Sequence, residues 1–281
     1  QHIRGWEKWV NRLYESGEIK IFITGSNASI LAPEIATKLT GRNRQVVCYP
    51  FSFHEFLYFK NAVPDRKSLY KPENRAAIKR LFSVFLKTGG FPEIIKNEDP
   101  SLLEQYFKDI IYRDIIARYG IRNSREIKQM LLFMSSNIGN IVSYKNIQSM
   151  IGVKSITTIK NYLDIMNDVF LFFKIDLFDY SVKKQIYNPS KIYCIDAALS
   201  NAVNFRFSRN TGHIYENIVF VELLRREKEI FYWKSKTGAE IDFILKKGKK
   251  IETALQVAYS TTSDTTLSRE INALLLVKNE L

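Results

Sequence analysis

Cysteine, histidine and proline are scarce in this chain: of 281 residues, two are Cys, three His and seven Pro. Cys48 and Cys194 lie far apart, which excludes a disulfide-framed domain and points to a reducing, cytoplasmic setting. The histidines, His2, His54 and His213, are scattered, and neither C-x-x-C nor H-E-x-x-H occurs, so no metal centre is expected. No apolar run reaches the ~18–20 residues needed to span a bilayer, and no signal peptide opens the chain, so no membrane partner is expected. No local signature assembles a Ser/His/Asp triad. The phosphate loop G-x-x-x-x-G-K-[ST] is missing too. The one Gly-Lys pair, Gly248-Lys249, has Phe243 where the first glycine belongs.

What is there reads as globular. Apolar residues make up 46%, charged residues 25%, and an aromatic content of 13% is too rich for a disordered chain. The length suits about two domains. The net charge of +13 suits a polyanion partner such as nucleic acid, or serves solubility alone. The excess is uneven, because residues 1–90 carry 15 basic and 7 acidic side chains.

The pattern along the chain predicts an α/β class. Residues 3–16 read as an amphipathic helix, 19–23 as a buried strand, 30–39 as a helix and 46–49 as a further strand. That is the grammar of one edge of a parallel α/β sheet. Residues 75–175 read as mostly helical, with helices at 102–119, 126–138, 143–150 and 155–168. Residues 169–177 form a β-rich run. Three helices followed by strands is the order of a winged helix-turn-helix. From 176 onward strands are predicted at 191–196, 230–233, 240–244 and 254–257, and helices at 215–227 and 269–276. The expected domains are 1–75, 76–178 and 179–281.

Four constellations carry candidate chemistry. Thr24, Ser26 and Asn27 end a predicted strand, where they either bond a phosphate or cap the next helix. Arg42 follows Gly41, where it either senses phosphate charge or sits in a solvated loop. The second helix of the helix-turn-helix is expected to expose Thr157, Thr158, Lys160 and Asn161, with Lys154 in the turn, and to bury Ile159, Leu163 and Met166. These polar types contact phosphates and base edges in double-stranded DNA, while Asp164 and Asp168 oppose them, so a packing role is an equal alternative. Last, Glu216, Glu222 and Asp242 are carboxylates of the kind that hold Mg²⁺ in a nuclease. The strand that should supply E-x-K offers Ala254 and Gln256 instead, which reads as a degenerate endonuclease without cleavage.

Several runs, taken together and in order, carry a resemblance: Trp6-Glu7-Lys8-Trp9-Val10, Phe22-Ile23-Thr24-Gly25-Ser26-Asn27, Leu39-Thr40-Gly41-Arg42, Pro50-Phe51-Ser52-Phe53-His54-Glu55-Phe56, Gly89-Gly90-Phe91-Pro92-Glu93, Tyr112-Arg113-Asp114-Ile115, Tyr215 through Leu223, and Glu240-Ile241-Asp242-Phe243. The chain resembles a prokaryotic AAA-type ATPase family. The resemblance implies a P-loop ATPase core that uses ATP and Mg, a winged-helix middle, and a C-terminal domain like the PD-(D/E)XK nuclease fold. It implies that Gln1 ends a Walker B signature, so that Walker A and the Walker B carboxylates precede these residues. It places Asn27 at the sensor-1 position, with Thr24 and Ser26 beside it, and Arg42 as a γ-phosphate sensor or arginine finger. Glu216 and Asp242 take nuclease-like acidic positions, and Gln256 departs from the pattern. The expected role is coupling of nucleotide state to DNA or to a protein partner, in a candidate homo-oligomer. The alternative is a nucleic-acid-binding regulatory module with no ATPase function. These 281 residues alone are not expected to hydrolyse ATP.

Overall fold

A computed structural model describes residues 6–17, 19–25, 44–203, 211–260 and 263–281. The strands of the described residues fall into two three-stranded antiparallel sheets surrounded by helices. The expectation of a parallel sheet is therefore corrected: residues 19–23 and 46–49 form no strand. A strand exists only where a neighbour accepts its N–H groups and donates to its carbonyls. Among the described residues neither run has such a neighbour. The alternation that suggested a strand is nevertheless visible. Ile21 and Ile23 pack with Val10 and Trp6 of helix α1 (Trp6–Glu15), while Phe22 between them is 79% exposed. The predicted helix at 30–39 lies outside the described residues.

The next helices follow from local chemistry. Ser52 opens α2 (Phe53–Phe59) with a reciprocal capping box, its hydroxyl accepting from the Glu55 N–H while the Glu55 carboxylate accepts from the Ser52 N–H. Phe56 and Leu57 bury against Phe85 of α3 (Pro72–Thr88) and Ile95 of α4 (Pro92–Asn97). Pro72 and Pro92 begin their helices, where a missing N–H costs nothing. Helix α5 (Leu102–Asp109) runs on as a π-helical stretch, Ile110–Ala117. Asp114 within that stretch is buried and paired with Arg113 at 2.9 Å and Arg118 at 3.2 Å.

The middle of the chain continues with α6 (Ser124–Ser136), β1 (Ile141–Val142), α7 (Tyr144–Ile151), α8 (Ile156–Asp168), β2 (Phe172–Ile175), a short α9 (Val182–Tyr187) and β3 (Ser190–Cys194). Ser143 and Ser155 cap α7 and α8 by accepting from the Asn146 and Thr157 N–H groups. Gly152 ends α7 with φ of 77°, a left-handed turn that glycine adopts without strain. The sheet order is β1-β3-β2, with Ile175 opposite Lys191 and Phe173 opposite Tyr193. The boundary read at 178 thus falls between two strands of one sheet.

After β3 come α10 (Ala197–Asn201), α11 (Thr211–Arg225), the antiparallel strands β4 (Glu229–Lys234), β5 (Glu240–Lys247) and β6 (Lys250–Leu255), and α12 (Asp264–Glu280). Gly238 and Gly248, with φ of 94° and 59°, turn the two hairpins. Ala273 and Val277 of α12 pack on Ile241 and Ile244 of β5 together with Trp233. Phe220 of α11 and Phe243 of β5 instead join the main core with Tyr193 of β3. The two sheets therefore meet across β3, α11 and β5. Among the described residues no helix is long and apolar enough to cross a membrane.

Candidate functional site

At that meeting point lies a buried charge cluster. Its centre is Lys191, 1% exposed. Lys191 and Tyr193 stand two residues apart on β3 and so share one face. The Lys191 Nζ lies 2.9 Å from Glu216 Oε1, 2.9 Å from Asp242 Oδ1 and 2.7 Å from Glu240 Oε1. An ammonium has three N–H donors, and three carboxylates surround it.

Helix α11 holds its part of the site on one face. His213, Glu216, Asn217 and Phe220 recur at helical spacing. Tyr193 donates its hydroxyl to Glu216 at 2.5 Å, and its ring stacks on Phe220 at 4.3 Å. His213 Nδ1 lies 3.3 Å from the other Glu216 oxygen. Asn217 accepts from the Cys194 N–H at 2.8 Å and donates to the Cys194 carbonyl at 2.9 Å, ending β3 as a strand neighbour would. Gly139 passes against the His213 ring, and a Cβ there would fall 2.9 Å from its Cγ. Asp242 is fixed from its far side by the Val257 N–H at 2.9 Å. Gln256 accepts from the Asp242 N–H at 3.1 Å, so its amide ties β6 to β5.

The electrostatics follow from this geometry. Burial alone would lower the Lys191 pKa, but the charges of Glu216, Asp242 and Glu240 outweigh it and hold the ammonium well above the ordinary 10.5. Burial pushes Glu216 up, but the hydrogen bond to His213, the Lys191 charge and the Tyr193 hydroxyl carry it below the ordinary 4.5. Asp242 goes the other way, raised by burial and by the nearby Glu216 charge against the pull of Lys191. Of these two carboxylates, Asp242 is therefore the one that accepts a proton first on acidification. The raised Lys191 pKa contributes stability that is complete below the unfolded value of 10.5 and is lost as pH rises from there through the folded value. In urea unfolding, the gap between wild type and Lys191→Met is accordingly expected to hold from neutrality to about pH 10.5 and to close above it. A gap that closes below pH 9 contradicts the assignment.

The structure thus brings Glu216, Asp242 and Gln256 together. Lys191, Glu240 and Tyr193 are members that the sequence did not assign to this site. One signal was present: Lys191 sits in a strand buried along its whole length, and a lysine there demands a carboxylate. Among the described residues no group of three or more His, Cys, Asp or Glu is placed to hold a metal ion.

The other candidates fall elsewhere. Thr24 is exposed and outside any regular element, and Ser26, Asn27 and Arg42 lie outside the described residues. On α8, Ile159, Leu163 and Met166 are buried, and Thr157 and Asn161 are exposed, as is Lys154 before the helix. Thr158 and Lys160, expected on the exposed face, are only half-exposed. Lys160 lies 5.3 Å from the Tyr144 ring centroid, where its charge rests on the aromatic face.

A second feature joins the segment around α2 to the rest of the chain. The Phe51 N–H donates to the Gly90 carbonyl at 2.6 Å, and the Gly90 N–H donates to Asp196 Oδ2 at 2.6 Å. Asp196 also caps α10, accepting from the Ala198 and Leu199 N–H groups. Arg225, at the end of α11, donates to the Pro50 carbonyl and lies 3.4 Å from Glu55. A cleft of about 650 Å³ opens beside these contacts, lined by Phe51, His54, Phe85, Ile218, Val221 and Arg225 among others.

Three family models match parts of the chain. Residues 1–57 match an AAA domain, 79–210 a domain of unknown function (DUF8612), and 211–280 another domain of unknown function (DUF4143). The uncharacterized protein MJ1544 of Methanocaldococcus jannaschii is 37% identical over 97% of this chain and 62% of its own length. An uncharacterized protein of Haemophilus influenzae is 34% identical over 99% of this chain and 68% of its own. The chain thus spans roughly two thirds of the length of these relatives. No solved structure matches. The chain belongs to the same family as the Haemophilus influenzae protein, and its residues 1–57 carry that family's likeness to an AAA domain.

Proposed function

We propose that this chain is the effector portion of an AAA-type ATPase, and that it couples nucleotide state to the binding of a partner. The observation that carries the reading is the set of contacts from the AAA-matching segment to the rest of the chain. Pro50 and Glu55 lie within residues 1–57 and engage Arg225, and Phe51 in the same segment bonds Gly90. A shift of that segment is felt directly by α11 and by the start of α4. ATP and Mg belong to the P-loop core that the resemblance implies, with Thr24, Ser26, Asn27 and Arg42 as the sensing residues. Arg42 would act across a homo-oligomer interface if it serves as an arginine finger. These 281 residues contain no phosphate loop, so no nucleotide step is derived from them.

The partner we favour is double-stranded DNA. Its support is the order helix, β1, α7, α8, β2, α9, β3 with sheet order β1-β3-β2, which we read as a winged helix-turn-helix with a helix inserted before its last strand, together with exposed Lys154, Thr157 and Asn161. A protein partner is the second candidate. The C-terminal unit reads as a nuclease-like fold without cleavage, because Ala254 pairs in β6 and Gln256 is spent on the Asp242 backbone.

The test measures duplex affinity by fluorescence anisotropy, in a family member carrying a complete P-loop core, with and without ATP and Mg²⁺. Coupling gives a change of about fivefold or more between nucleotide states, which Ala at the Arg225 position flattens. Equal affinity in every nucleotide state overturns the coupling. Affinity that is indifferent to salt and to Lys154→Glu with Lys160→Glu overturns DNA as the partner.

A further inference from the structure

We infer that Lys191 is the resident cation of the Glu216–Glu240–Asp242 site, and that its presence shuts this site to divalent metal ions. Three observations carry this. The three carboxylate oxygens converge on a single point, and the Lys191 Nζ occupies it at 2.7–2.9 Å. The ammonium donates to Glu216 and to Asp242, and Glu240 pairs with it as the third acid. The Lys191 side chain is 1% exposed and those of Glu216 and Asp242 are 7% and 9% exposed, so these two acids face the ammonium rather than water, while Glu240, at 33%, closes the site from its solvent side. A divalent ion beside the ammonium would meet a like charge within a low-dielectric pocket.

The origin of the lysine gives the contact its meaning. Lys191 stands on β3, in the sheet with β1 and β2, whereas Glu240 and Asp242 stand on β5 in the other sheet and Glu216 on α11. The plug is thus delivered by one structural unit into carboxylates of another. The strand that carries it is held in place by the Asn217 clamp on Cys194 and by the Tyr193 stack on Phe220. The inference stands whether or not the chain couples nucleotide to DNA.

Two measurements test it on the full 281-residue chain. In the first, wild type is treated with formaldehyde and borohydride with and without Ca²⁺ or Mn²⁺, and lysine methylation is mapped by mass spectrometry. Lys191 is expected to stay unmodified in both conditions while exposed Lys183 is modified to completion. If Lys191 labels as fast as Lys183, or if the added ion makes it label, the inference is overturned. In the second, thermal unfolding is followed with the same ions. Wild type is expected to show no shift that depends on Asp242. Lys191→Ala is expected to gain an upward shift with Ca²⁺, whose oxygen distances are the closer match to the vacated geometry, and Lys191→Ala with Asp242→Asn is expected to lose it. An Asp242-dependent shift in wild type, or none in a folded Lys191→Ala, overturns it. If Lys191→Ala does not fold, the labelling result alone decides.

Discussion

Lys191→Met is expected to destabilise the fold by about 3–5 kcal/mol, the cost of leaving buried carboxylates without their partner. Methionine fills a similar volume and brings no charge, so the loss reports electrostatics rather than a cavity. Glu216 and Asp242 are both nearly inaccessible to water, so solvent cannot replace the ammonium. The variant is further expected to take up protons on Asp242, which is already biased toward its neutral form by burial and by the Glu216 charge. Adding Asp242→Asn to Lys191→Met should therefore recover part of the loss, because one unpaired charge disappears. Urea unfolding of the two single variants and the double variant measures this coupling directly. Additive losses would show that Lys191 and Asp242 do not act as a pair.

The second large effect is expected at Gly90, where no side chain fits. A Cβ there would press on the Phe51 carbonyl and sit 2.8 Å from the Phe51 nitrogen. These are backbone atoms and cannot rotate away. Gly90→Ala is expected to cost about 2–4 kcal/mol, the sum of overpacking and a lost buried hydrogen bond. The damage should be local, because Phe51 must leave Gly90. Limited proteolysis is expected to cut the segment before α2 faster in the variant, while the sheet of β4, β5 and β6 stays protected. Gly89 is constrained differently, with φ of 69° and a Cβ position 2.5 Å from the Asp196 carboxylate. The two glycines let a loop pass between Phe51 and a buried acid. Unchanged unfolding of Gly90→Ala would remove this account of the Gly89-Gly90 pair.

Much of this architecture was legible where the chemistry is local. Ser143, Gly152 and Ser155 announce the ends of α7 and α8 because a cap satisfies backbone groups a few residues away. The buried face of α8 follows from the spacing of Ile159, Leu163 and Met166. The carboxylates of the candidate site were visible as residue types, although their neighbours were not. Lys191 meets Glu216 and Asp242 across 25 and 51 positions of sequence, and nothing in its own run says which acids will face it. Asp196 is a similar case, since its bond to Gly90 spans 106 positions and its buried carboxylate has backbone donors in place of a cation. Residues 19–23 show the opposite error. Their alternation is real and packs on α1, but a strand is a property of a pair, and the run alone could not supply the other member.

Helix α11 has 15 residues, so its two ends are separated by ~22 Å of hydrogen-bonded rod. Its first three turns grip β3 and the carboxylates through His213, Glu216, Asn217 and Phe220, and its last residue grips Pro50 and Glu55. A rod cannot yield at one end alone. Any displacement of the Pro50 segment either tears Arg225 free or tilts the axis, and a tilt about the Arg225 end swings Glu216 away from the Lys191 ammonium. One helix thus carries, at its two ends, the contact with the AAA-matching residues and the grip on the most deeply buried charge in the cluster.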